Sequence, residues 1–257
     1  MQINKILTYL DERFPKDTAC DFDQAVIGLT IGSRNIEVKK VLFALDLTID
    51  VCKEAKEKGA NLIITHHPFL FNPISKVLFD NPQGEIIKFM CENNLSTYSM
   101  HTNLDCAVGG VNDTLCKMLG LDFEHEESLK DEILRCGYIN EITMKDLIEI
   151  VKEKFSLKTV KYIGDLNEKI KKIGIVGGSG AQIPSINDAI KEKVDCYITG
   201  EVKLNAAIYA KQMGLNLIEV NHGIERFVFY SLKEELEKIF GDIFIISDIN
   251  TDPLIGC

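Results

Sequence analysis

The chain has 257 residues, is 46% hydrophobic and carries a formal net charge of −10. That is enough apolar material for one large domain or two small ones, and the acidic balance argues against a nucleic-acid backbone as principal ligand, which requires clustered Lys and Arg. No apolar run approaches the roughly 18–20 residues that span a bilayer, and the charged N-terminus is not a signal peptide, so no membrane association and a cytoplasmic location are expected.

The first residues, Met1 to Phe14, have the spacing of an amphipathic helix. Val41-Leu-Phe-Ala-Leu-Asp46 predicts a strand, residues 50–58 a helix, and Asn61-Leu-Ile-Ile-Thr65 a short buried strand that His66, His67 and Pro68 cut off. A helix over 84–92 leads into a strand that ends at Met100-His101. The polar segment 124–131 marks a boundary, giving a first α/β repeat over 1–125 and a second over 126–257, with the C-terminal helix free to pack back on the first. His125, within that charged segment, is expected to face solvent. In the second half a strand from Ile173, a helix over 185–193, a strand ending Ile-Thr-Gly200-Glu201, a helix over 204–213 and a strand ending Asn221-His222 repeat the earlier order. Residues 147–155 match 6–14 in helical spacing, and a helix over 225–239 and a strand over 242–247 close the chain. The period is far above that of a solenoid. The expected fold is therefore a duplicated α/β repeat, two packed domains with mixed, mostly parallel sheets and a metal site between them.

The chain has five histidines, at 66, 67, 101, 125 and 222, and all but His125 close short apolar runs. Ligands in open α/β sheets bind beyond the carboxyl ends of the strands. Carboxylates follow at close range in His101-Thr-Asn-Leu-Asp105 and His222-Gly-Ile-Glu225, with Glu225 expected in the first turn of the closing helix, where the macrodipole favours it. Counting ligands gives His66, His67, Asp105, His222 and Glu225, with His101 in reserve as a residue that orients a ligand or meets substrate. Five or six donors exceed one zinc-type site and suit two divalent ions. Imidazole and carboxylate together fit Zn, Fe or Mn without discriminating among them. Glu201 either faces the cleft or caps the following helix, and Gly177-Gly-Ser-Gly180 either lets backbone amides approach a phosphate or forms a tight strand-to-helix turn. The eight cysteines contain no Cys-x-x-Cys pair and read as free, mostly buried thiols of a reducing compartment.

These motifs resemble one family, the NIF-three-like dinuclear metal-centre proteins, also named GTP cyclohydrolase 1 type 2 homologues. The resemblance rests on Gly28-Leu-Thr-Ile-Gly32, Ala44-Leu-Asp-Leu-Thr48, Ile63-Ile-Thr-His-His-Pro68, His101-Thr-Asn-Leu-Asp105, Gly177-Gly-Ser-Gly180, Tyr197-Ile-Thr-Gly-Glu201 and His222-Gly-Ile-Glu225, in family order. It implies two metal ions on His66, His67, Asp105, His222 and Glu225, a duplicated α/β fold with the site between its halves, and a ring-like homohexamer. Some members space the last His and Glu by four; this chain uses three.

Two functional classes follow. One is a hydrolase acting through metal-bound hydroxide on a small molecule such as a nucleotide, a cyclic amide or a phosphoester, with His101 as proton donor. The other is a non-catalytic metal-binding scaffold or metal-delivery protein. The family name favours the first only by analogy.

Overall fold

The computed structural model describes residues 1–254, and packing divides the chain into two compact units. Unit 1 comprises Met1–Cys106, Leu129–Asp131 and Val228–Thr251. Its frame is β2 (Val41–Ala44), α2 (Ile49–Lys58), β3 (Leu62–Thr65), α3 (Pro82–Glu92) and β4 (Ser96–Ser99), preceded by α1 (Ile3–Arg13) and β1 (Gly28–Ile31). The short α4 (Thr102–Asp105) follows β4, and the later α9 (Val228–Phe240) and β10 (Phe244–Ile246) belong to the same unit. The sheet order is β1-β4-β3-β2-β10, parallel except where β1 joins β4.

Local chemistry sets these elements. Thr48 caps α2 by accepting from the Val51 amide, and Gly59, at φ 73°, ends it in the left-handed region that glycine enters without strain. Asn81 caps α3, with Pro82 in the first turn. All four residues of β3 are buried, as expected of a central parallel strand covered on both faces. A core cluster built from Leu42, Val51, Ala55, Ile63 and Met90 packs the sheet against α2 and α3, each fully buried side chain of it larger than alanine contributing roughly 1.5–3 kcal/mol.

Unit 2 comprises Ala107–Ser128, Glu132–Phe227 and the residues from Asp252. It contains α5 (Val111–Leu119), β5 (Arg135–Thr143), α6 (Met144–Lys154), β6 (Lys161–Ile163), β7 (Lys169–Val176), α7 (Ile183–Lys191), β8 (Cys196–Thr199), α8 (Leu204–Gln212) and β9 (Asn216–Glu219). Its sheet order is β5-β7-β8-β9-β6. The parallel core β7-β8-β9 repeats β2-β3-β4 with the same two helical crossovers, and β6 lies antiparallel beside β9 as β1 does beside β4. The other edge breaks the repeat, because β10 is parallel to β2 while β5 is antiparallel to β7. The duplicated, mostly parallel α/β fold read from the sequence is thus present in both units.

Two expectations need correction. His125 does not face solvent: its side chain is 6% exposed and its Nδ1 donates to Asp113 at 2.8 Å, beside the buried Arg135. Glu124, Glu126 and Glu127 around it are exposed, so one inward residue is hidden in a solvated run. Glu225 is not in the first turn of α9 but in a 3-10 segment, His222–Phe227, that precedes it. Side chains at i and i+3 eclipse in that geometry, which is what a His-x-x-Glu spacing needs to bring both onto one side.

No helix among the described residues is long and apolar enough to cross a membrane. Seven free cysteines are found among the described residues, four of them buried, and Cys257 lies outside those residues. Burial alone pushes the Cys52 thiol up to about 12, which makes it an inert core residue.

Candidate metal centre

In unit 1 the carboxyl ends of β3 and β4 deliver three histidines to one place. The ligand atoms of His66, His67 and His101 all lie within 4.8 Å of one another. His66 is fully buried, while the side chains of His67 and His101 are 22% and 19% exposed. His101, held in reserve by sequence, belongs to this triad as closely as the other two. Asp105 closes α4, one turn after His101, and its Oδ1 stands 3.6 Å from His66 Nε2.

The hydrogen bonds fix which nitrogen each ring presents. His66 Nδ1 is 2.9 Å from the Met100 carbonyl, which only accepts, so Nδ1 carries a proton and Nε2 is the nitrogen turned toward Asp105. His67 Nδ1 donates to Asp46 at 2.7 Å, and Asp46 also accepts from the Thr251 hydroxyl at 2.5 Å. His101 Nδ1 donates to Asp23 at 2.8 Å, and Asp23 Oδ2 accepts from both the amide and the hydroxyl of Thr102. Burial works against a charged Asp23, but the hydrogen bond and charge of His101, with the Thr102 donors, outweigh it and hold the carboxyl below its ordinary value.

Unit 2 repeats this arrangement at the ends of β8 and β9. His222 Nδ1 donates to Glu201 at 2.9 Å, and His222 Nε2 lies 3.2 Å from Glu225 Oε2. Glu201 also accepts from the Ser179 hydroxyl at 2.9 Å. The hydrogen bond from His222 is the main reason the Glu201 carboxyl sits below its ordinary value; burial opposes it. The cap at the start of α8 is Lys203, so the helix-capping reading of Glu201 is set aside. Gly178, at φ +57°, lies against the pair: a Cβ there would meet Glu225 Oε1 at 2.4 Å and His222 Nε2 at 3.1 Å. A carboxylate therefore already covers this turn, which favours the tight-turn reading of residues 177–180 over a phosphate cradle.

The donor chemistry fits a divalent metal. Each of the four histidines has Nδ1 held by an acceptor of the chain, the arrangement by which an outer carboxylate or carbonyl orients a metal-binding imidazole. Two ligands of a tetrahedral ion at about 2.0–2.1 Å stand about 3.4 Å apart, close to the His66–Asp105 and His222–Glu225 separations of 3.6 and 3.2 Å. A divalent cation placed between each Nε2 and its carboxylate would be attracted by both.

Sequence reasoning missed Asp46 and Asp23. Asp46 lies two residues past the end of β2 and obeys the same strand-end rule as the histidines, so a signal for it existed. Asp23 lies in a turn with no periodic pattern, and nothing in the sequence marks it.

The Duf34/NIF3 (NGG1p interacting factor 3) family model matches residues 1–253, so the resemblance carried by the motifs is borne out. A Clostridium perfringens protein named GTP cyclohydrolase 1 type 2 homolog is 37% identical, covering 98% of this chain and 98% of its own. A crystal structure of a Staphylococcus aureus protein is similar with a TM-score of 0.90 and 31% identity, covering 100% of this chain and 99% of that one. A Bacillus cereus protein related to NIF3 is similar with a TM-score of 0.91 and 25% identity, covering 100% and 99% respectively.

Proposed function

Because the chain belongs to the DUF34/NIF3 family, we propose that it is a dinuclear metal-dependent hydrolase in which His66, His67, Asp105, His222 and Glu225 hold two divalent ions. The observation that supports this most is the shared tautomer: every candidate imidazole is held at Nδ1 and offers Nε2. When bound, the ions supply Lewis acidity and a water-derived nucleophile near neutral pH. Zn, Fe and Mn all suit such donors.

The chain's own groups supply the rest. His66 and His67 are locked in orientation by the Met100 carbonyl and by Asp46, so they need little reorganisation to bind. His101 hands a proton from Nε2 to the leaving group, and Asp23 holds the ring in place through Nδ1. The substrate class is a nucleotide-like molecule, a cyclic amide or a phosphoester; the name of the Clostridium perfringens relative brings GTP into the test. A homohexamer, implied by the family resemblance, is proposed as the assembly, and sedimentation measures it.

The test is turnover by metal-reconstituted protein on a panel of GTP, other nucleotides and cyclic amides. Hydrolysis by wild type that is absent from His67→Ala supports the reading. No turnover with both ions loaded rejects it in favour of a metal store or delivery protein.

A further inference from the structure

We propose that Phe22 and Phe71 form an aromatic clamp that takes a planar heteroaromatic ring of the ligand and sets it beside His101. The inference deepens the proposed function and rests on that reading for the chemistry that follows binding. Phe14, Phe43, Phe155, Phe229 and Phe244 are buried, yet Phe22 and Phe71 are 64% and 44% exposed. Isolated exposed apolar residues need no explanation, but these two converge from separate loops. Their ring centroids are 6.3 Å apart with planes tilted by 50°, and Phe71 stands edge-on to His101 at 6.3 Å and 83°.

Both loops begin or end at residues of the candidate site. Phe22 directly precedes Asp23, which is fully buried and bonded to His101 and to Thr102. The turn is further closed by the Asp23 amide donating to the Cys20 carbonyl and the Val26 amide to that of Asp23. Phe71 lies four residues beyond His67, after Pro68, which stiffens the exit from β3. The bonds of Asp23 hold the Phe22 turn and Pro68 restricts the start of the Phe71 loop, which lowers the cost of ordering the rings around a ligand. A tilted ring pair accepts another ring by offset stacking. A planar ligand parallel to Phe71 would also be held perpendicular to the imidazole that transfers the proton. An aliphatic ligand gains nothing from that geometry, and the polar His101–Asp23 pair at its base disfavours a purely apolar occupant.

The experiment is saturation-transfer NMR and calorimetry on the metal-loaded full chain, with guanosine as ring-bearing probe and ribose as the probe without a ring. Phe22→Leu and Phe71→Leu keep apolar area and remove the ring at exposed positions. Expected are transfer strongest at the guanine proton, no binding of ribose, and a dissociation constant for guanosine raised roughly 5- to 100-fold per ring removed, with metal content unchanged. The proposal is overturned if wild type does not bind guanosine, if the double variant binds it as well as wild type, or if the substitutions alter only sedimentation, which would assign the rings to contact with a second copy. Ring binding retained in a chain that fails to load metal supports the clamp and sinks the hydrolase reading, so the two failures are distinguishable.

Discussion

Asp113→Ala is expected to lower the unfolding free energy by about 3–5 kcal/mol, the cost of breaking a buried ion pair from one side. Asp113 and Arg135 are 2% and 3% exposed, and Arg135 Nε donates to Asp113 Oδ1 at 2.7 Å. The same carboxylate accepts from His125 Nδ1 at 2.8 Å and, through Oδ2, from the Gly109 amide at 2.7 Å. It also occupies the first turn of α5, where the macrodipole favours it. Alanine removes the counter-charge from a guanidinium that burial prevents water from reaching. Asp113→Asn keeps the volume and one acceptor and should cost less. Urea unfolding at constant slope measures both, and a loss below about 1 kcal/mol for alanine would show that the cluster is not an ionic core of unit 2.

His101→Gln is expected to reduce turnover by roughly 10²–10⁴-fold, the usual contribution of a positioned general acid. Glutamine keeps a donor but cannot deliver a proton. Because His101 groups with His66 and His67, its role must be separated from ligation. The expected result is a fall in kcat with metal content per chain unchanged. If His101→Gln instead loses an ion, the residue is a ligand and the assignment of proton transfer to it fails. Asp23→Asn weakens the Nδ1 partner of the ring and, because Asp23 also accepts from Thr102, is read beside a stability measurement; it should lower kcat less, with KM little altered.

The parts of the fold legible in the sequence were those with strong periodicity. The apolar runs of β2, β3, β8 and β9 end abruptly in polar residues because the sheet core is covered on both faces while the strand ends are not. That contrast also exposed His66, His67, His101 and His222. The edge strands were harder. β5 carries exposed polar residues over much of its length, β6 has only three residues, and β1 is mostly half-buried, so none shows a run long enough to read. His125 was misjudged because its neighbours are solvated glutamates, and only the distant Asp113 and Arg135 turn it inward. The 3-10 segment at His222–Phe227 has helical composition, so sequence could not tell it from the start of α9. Asp23 is defined by what it touches, a relation that spacing along the chain does not encode, whereas Asp46 carried the strand-end signal and only its contact with His67 shows its role.

Metal analysis of purified, reconstituted protein, reported as ions per chain, shows whether these residues form a dinuclear centre. About two divalent ions per chain are expected for a bridged pair of sites, with Asp105→Ala and Glu225→Ala each losing metal while remaining folded. Wild type that binds no divalent ion, or variants that load as fully as wild type, would rule out a metal centre on these residues.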